Sequence, residues 1–330
     1  MNEKIRVAFI YKESVPFLSP KNYDTTYYHF FMNALKRNQR IQVTYFSGEE
    51  KFDVRILKGK YDVILLYENW NWGVPDELIG IDDVDIPIIA RCGDFHAVKR
   101  YDIISYHDKY KIDYYFGYDR KNHFHQFYPK KFNYKTVIFG LEPSLYEPVK
   151  PFKNRISNKI LNSGAIGNPS LYSRLINKFK KQIDDGNAFS GYRLRTLCTK
   201  LPYVDYTSTL KHKYIGDNYS QLLQKYKTAI AATTFTPTIK YWEIPAAGCL
   251  TFMEITELNE GKYLGFQDDE TAIFINKNNY KEKFNEYLDD LDNPKWERIA
   301  NQGRKYVLEN LSNDNAVDTL VDLMEEIINK

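Results

Sequence analysis

Twice along this chain, short unbroken apolar runs alternate with stretches of helical spacing, and a proline-rich crossing separates the two series. The first series places strands at Ile5–Tyr11, Ile41–Phe46, Tyr61–Tyr67, Ile86–Arg91, Tyr114–Gly117 and Thr136–Phe139. Between the first two, Tyr28, Phe31, Met32 and Leu35 recur at helical spacing over Thr25–Leu35. A strand that is apolar on both faces must be covered on both faces. Parallel strands joined by helical crossovers satisfy that requirement, so each series implies a doubly wound α/β layer. In such layers ligands sit at the carboxyl ends of the strands.

The crossing is Gly140–Pro151, in which Pro143, Pro148 and Pro151 forbid a helix and stiffen the chain. The second series opens with a strand at Lys159–Ser163, turns at Gly164 and Gly167, and enters a helix near Ser170. A polar loop is expected over Asp205–Asp217, a helix over Tyr219–Tyr226 and strands at Thr228–Ala232 and Ala272–Ile275. Amphipathic helices follow at Lys281–Leu291, Trp296–Leu311 and Ala316–Ile328. With 330 residues the chain exceeds the size at which one core keeps growing, so two domains are expected. The boundaries are read as 1–148 and 149–311, with 312–330 a final helix packing back on the first domain.

Composition narrows the class. A net charge of +3 gives no basic stripe for nucleic acid. The 28 Tyr and 20 Phe suit stacking against sugars or bases, and equally suit amphipathic core edges. Cys92, Cys198 and Cys249 lie far apart without ligand spacing, which suggests a reducing compartment. The charged start and the lack of a run near 18 apolar residues suggest a cytoplasmic protein, at most peripheral to a membrane.

The chemistry concentrates in Thr236–Met253. Thr236 suits an N-cap, Pro237 the first helical position and Gly248 the residue past the end, followed by a buried strand. The N–H groups of such a first turn seat phosphate, with Thr238 in that turn. Lys240 adds a full charge, and Glu243, three residues on, offers two acceptor oxygens to a ribose diol. The bland alternative is a solvated Lys–Glu pair worth a few tenths of a kcal/mol. In the first series, Asp94 and His96 alternate just after the strand ending at Arg91, as a base and its orienter would. His123–His125 and His107–Asp108 read as surface features, since no third ligand stands near them in sequence. The Asp83–Asp85 pair precedes a strand rather than following one, so no metal site is expected.

The Lys240-x-x-Glu243-x-x-Ala-x-Gly248 run, its apolar strand, then Gly265–Glu270 and Ala272–Ile275, resemble the donor half of GT-B glycosyltransferases, most of all the spore-maturation (CgeB-like) group. The resemblance implies two Rossmann-like domains facing across a cleft. It implies a metal-independent glycosyltransferase, in the first place a hexosyltransferase, with a nucleotide diphosphate sugar as co-substrate and no further cofactor. The glycine turn at Ser163–Gly164 is similar to the one that opens the donor domain of this group, and Arg174 stands where similar proteins carry a diphosphate-bracing Arg. Many GT-B enzymes carry a second acid eight residues before the ribose Glu; here that position is Phe235, which fits the CgeB-like group. The alternatives are a nucleotide-sugar epimerase on the same fold and a non-catalytic nucleotide-sugar-binding subunit. The acceptor is open among a glycan, a small molecule, a protein and a modified DNA base, with nucleic acid the least expected.

Overall fold

The computed structural model describes residues 3–12, 14, 27–93, 95, 98, 101–167, 188–207 and 218–329. The chain divides into two compact units, residues 1–140 with 312–330, and residues 141–311.

Unit 1 contains β1 (Ile5–Tyr11), β2 (Ile41–Ser47), β3 (Lys51–Asp53), β4 (Val63–Leu66), β5 (Glu77–Ile79), β6 (Ile88–Arg91), β7 (Tyr114–Gly117) and β8 (Asn133–Thr136). Six of them form a sheet in the order β2-β1-β4-β6-β7-β8, and β3 pairs with β5 apart from it. Every pairing is parallel, with Val7 opposite both Val43 and Val63. From β1 the chain builds outward to β2 on one side, then returns to lay β4 on the other. The strand order therefore reverses between β1 and β4, and the carboxyl ends of these two strands border a natural crevice. β4 and β6 are buried throughout and β1 from Val7 onward, as unbroken apolar runs must be.

The final helix, Asn313–Ile328, belongs to this unit. The Ser312 hydroxyl caps it by accepting from the Asn315 N–H, an arrangement worth about 1 kcal/mol. Its buried stripe of Ala316, Val317, Leu320, Val321 and Met324 joins the unit 1 core. Arg37 meets Asp314 at 3.0 Å and Arg40 meets Asp322 at 2.7 Å along the rim. These exposed pairs add ~0–1 kcal/mol each, so the apolar stripe dominates.

Unit 2 contains β9 (Ile156–Ser163), β10 (Val204–Thr207), β11 (Tyr226–Ala231), β12 (Leu250–Glu254) and β13 (Ile273–Ile275), in the order β10-β9-β11-β12-β13. Here too the pairings are parallel, and the order reverses between β9 and β11. Its core gathers Ile160, Ile230, Leu250, Phe252 and Ile273 from the sheet with Phe284, Tyr287, Trp296 and Ile299 from the helices Tyr280–Asp289 and Pro294–Asn310. Asn293 caps the longer of these by accepting from the Lys295 N–H, with Pro294 at its first turn.

Several elements depart from the sequence reading. The strand expected at Thr136–Phe139 runs over Asn133–Thr136, and Val137 and Phe139 pack as buried residues beyond it. The polar stretch from Asp205 begins inside edge strand β10, whose Tyr206 is 40% exposed; a short edge strand with one wet face leaves little apolar signal. The helix expected from Thr236 starts at Lys240.

Candidate functional site

The carboxyl ends of β9 and β11 carry a polar cluster in unit 2. β9 ends on Ser163, and Gly164 follows with φ +105°, a conformation that favours glycine. Its N–H donates to the Thr207 carbonyl at 2.9 Å, so Gly164 contributes space rather than a free donor. A Cβ there would collide with the Arg195 guanidinium and lie 2.9 Å from Lys240 Cε. Two cations therefore converge on one glycine.

Arg195 comes from the helix Arg193–Cys198 and is 2% exposed. Its Nη2 donates to the Ser163 carbonyl, and its guanidinium lies 4.7 Å from the centre of the Tyr192 ring. Among the described residues its Nε has no hydrogen-bond partner; a carbonyl and tyrosines surround the guanidinium, and Glu254 attracts it without forming an ion pair. Burial depresses its pKa. An uncompensated buried cation costs several kcal/mol. An incoming anion would relieve that cost.

Lys240 opens the short helix Lys240–Ala246. It is half-buried and turns its ammonium inward, donating to the Tyr219 hydroxyl at 2.9 Å. Tyr219 shares a 2.7 Å hydrogen bond with Ser163 Oγ, so Ser163, Tyr219 and Lys240 form one chain of contacts. One turn on, Glu243 is 5% exposed and accepts from the Tyr146 hydroxyl. Burial pushes the Lys240 pKa down and the Glu243 pKa up, each against the attraction of the other. Glu254, at the carboxyl end of β12, adds a buried carboxyl whose Oε2 has no hydrogen-bond partner among the described residues; burial raises its pKa to about 8.

The structure thus brings Ser163, Gly164, Lys240 and Glu243 together. It corrects the capped turn. Ile239, not Thr236, occupies the cap position, with no side-chain cap bond. The Thr236 carbonyl accepts from Thr233 Oγ1 at 2.6 Å, and the Thr238 carbonyl accepts from the Tyr241 N–H. A cap residue's carbonyl accepts the first helical bond; that of Thr236 is taken by Thr233, so the helix begins later. Gly248 lies at the far end of this helix with φ +72°, its carbonyl accepting from Arg155 at 2.9 Å. Arg174, Asp94 and His96 lie outside the described residues. His123 is not the surface residue expected but is buried among Phe95 and Phe127; His125 and His107 are half-buried, His107 stacking on Phe132, and Asp108 is exposed. Among the described residues, no group of three or more His, Cys, Asp or Glu is placed to hold a metal, and no helix is long and apolar enough to cross a membrane.

Arg195, Tyr219, Tyr146 and Glu254 escaped the sequence reading. Arg193-Leu-Arg195 in a short helix carries no spacing signal, because the meaning of Arg195 comes from burial without an ion pair.

A family described as "Glycosyl transferase-like" matches residues 179–322. No curated protein matches the chain. Among solved structures, sucrose-phosphate synthase from Thermosynechococcus elongatus superposes with a TM-score of 0.58 at 11% identity, over 98% of this chain and 99% of that one. HepE from Anabaena, in complex with UDP-glucose, gives 0.57 at 10% identity over 98% and 100%. An alpha-glucosyltransferase in complex with UDP and a 13-mer DNA containing an HMU base gives 0.59 at 8% identity over 98% and 100%. The chain has the GT-B fold, built from two Rossmann-like parallel-sheet domains.

Proposed function

We propose that the protein is a glycosyltransferase that takes a sugar from a nucleotide diphosphate sugar and passes it to an acceptor hydroxyl. One observation carries the reading: Arg195 and Lys240 converge on Gly164 where the unit 2 strand order reverses, with the Glu243 carboxylate one helical turn away. Two cations beside a glycine suit a diphosphate, and a carboxylate beside them suits a ribose diol. The expected donor-site residues Ser163, Gly164, Lys240 and Glu243 keep that role here, and Arg195 joins them. The solved complexes with UDP and UDP-glucose on this fold support a uridine nucleotide as the donor.

Fixed cations would stabilise the diphosphate as it leaves, the largest contribution such a site makes. That chemistry needs no metal ion. Asp94 or His96 would take the proton from the acceptor; Ala in place of either should lower the single-turnover rate 10²–10⁴-fold. The DNA held by one structural neighbour moves nucleic acid from the least expected acceptor to one on a level with glycans. Membership of the CgeB-like group stays part of this proposal, resting on the Lys240–Gly248 run and on Phe235.

Incubation with UDP-, GDP-, ADP- and TDP-sugars in excess EDTA tests the reading. Release of the nucleoside diphosphate from at least one donor is the expected result. Epimerised but intact donor would favour the epimerase, and binding without turnover a partner subunit.

A further inference from the structure

Unit 1 has its own reversal point, between β1 and β4, and its chemistry differs from that of unit 2. Beyond β4 the chain reads Tyr67-Glu-Asn-Trp70-Asn-Trp72-Gly73. Of the four tryptophans, Trp242 and Trp296 are core residues at 0% and 1% exposure. The other two lie side by side at this strand end. Trp72 is 42% exposed and its ring lies 6.5 Å from that of Trp70; Tyr101, 46% exposed, lies 5.0 Å from Trp70. Aromatic surface left in water at a sheet's ligand edge marks a binding face rather than a packing failure.

The loop is held rigidly. Gly73 accepts from the Lys12 N–H at 3.0 Å, which ties the loop to the end of β1, and a Cβ on Gly73 would strike the Tyr67 ring at 2.7 Å. Trp70 Nε1 donates to Glu68 Oε2 at 2.7 Å, and buried Glu68 is itself paired with Arg91. Tyr110 donates to the Pro75 carbonyl at 2.9 Å. Trp70 is thus fixed in place before any ligand arrives.

We propose that Trp70, Trp72 and Tyr101 form a shelf that binds a pyranose ring by its C–H face. Charge favours a neutral sugar over a nucleic acid. Among the described residues, the two cations whose groups hydrogen-bond to this loop are already spent: Lys12 meets Asp76 at 2.5 Å and Arg91 meets Glu68. Beside Tyr101 the sequence carries Lys99, Arg100 and Asp102. At Trp70 and Trp72, among the described residues, a phosphate backbone would meet cations already held in internal ion pairs. Naming that sugar as the acceptor rests on the transferase reading; the binding itself does not.

Saturation-transfer NMR of the full chain with maltotriose, cellotriose and chitotriose tests the shelf, with UDP binding followed in parallel by calorimetry. Saturation should reach the ring protons of at least one trisaccharide. Trp72→Ala should weaken that binding about tenfold while UDP affinity holds, and Trp72→Phe should retain most of it. Sugar binding without UDP binding would sink the donor assignment and leave the shelf standing. No transfer to any of the three sugars, or undiminished transfer in Trp72→Ala, overturns the shelf. So does Trp72-dependent binding of a ten-residue oligothymidine in place of the sugars.

Discussion

Each unit carries a buried arginine at the point where its strand order reverses, and the two are treated in opposite ways. In unit 1, Arg91 is paired with Glu68, stacks 4.3 Å from the Tyr67 ring centre and donates to the Tyr67 carbonyl at 3.0 Å. In unit 2, Arg195 is as deeply buried, yet it is held by a carbonyl and tyrosines, with its Nε unpartnered. A neutralised cation serves the fold and leaves the adjoining surface to neutral ligands, here exposed aromatic rings. An unneutralised one lowers stability and is suited to an anion. The same fold can therefore present a sugar-type surface or a phosphate-type pocket by the placing of one acid.

Arginine replacement is the strongest way to break this contrast. Arg91→Met leaves Glu68 buried without its partner, and breaking such a pair should cost about 3–5 kcal/mol. Melting temperature should fall sharply, while the affinity of the remaining folded protein for UDP should not change. Arg195→Met should behave in the reverse manner. Removing a cation that has no ion pair should lower the melting temperature far less than the loss of Arg91 does, while UDP affinity drops about 100-fold, or ~2.7 kcal/mol. Parallel melting and calorimetric curves decide the matter; if both variants behave alike, the contrast is false. Glu243→Ala should weaken UDP binding by about 1.5–3 kcal/mol through loss of charged hydrogen bonds to ribose. Calorimetry with an unchanged dissociation constant would remove Glu243 from the site.

The smallest effect is on pH dependence. Burial lowers the Lys240 pKa and raises that of Glu243. Just above the ordinary carboxylate range, the folded chain keeps a Glu243 proton that the unfolded chain has lost, so stability falls as pH rises. Just below the ordinary lysine range, the unfolded chain keeps a Lys240 proton that the folded chain has lost, so stability rises with pH. The pair thus cuts a shallow minimum between those two ranges. The double variant Lys240→Met, Glu243→Gln should gain most over the parent there, about 2–4 °C for each kcal/mol restored. A gain that is flat across pH would argue against the pair.

The layers were legible because a strand covered on both faces has to be apolar, as Val63–Leu66 and Leu250–Met253 are. β10 was not, since an edge strand needs only one dry face. Lys240 and Glu243 were found because a helix–glycine–strand unit fixes their spacing. The same unit misled at its start: Thr236 looks like a cap until the Thr233 hydroxyl that takes its carbonyl is counted. Trp70 and Trp72 stood in plain view as a spaced pair, but sequence cannot say which tryptophans reach the core. His123 shows the converse, a polar residue whose burial is decided by the surrounding aromatic rings. Arg195 was beyond reach, because its place in the site is a property of what surrounds it.

Crystallography of the full chain with UDP is the most direct test of the central claim. The diphosphate should lie within hydrogen-bond distance of Arg195 and Lys240, with the ribose hydroxyls on Glu243. A nucleotide bound elsewhere, or a diphosphate touching neither cation, would contradict the account.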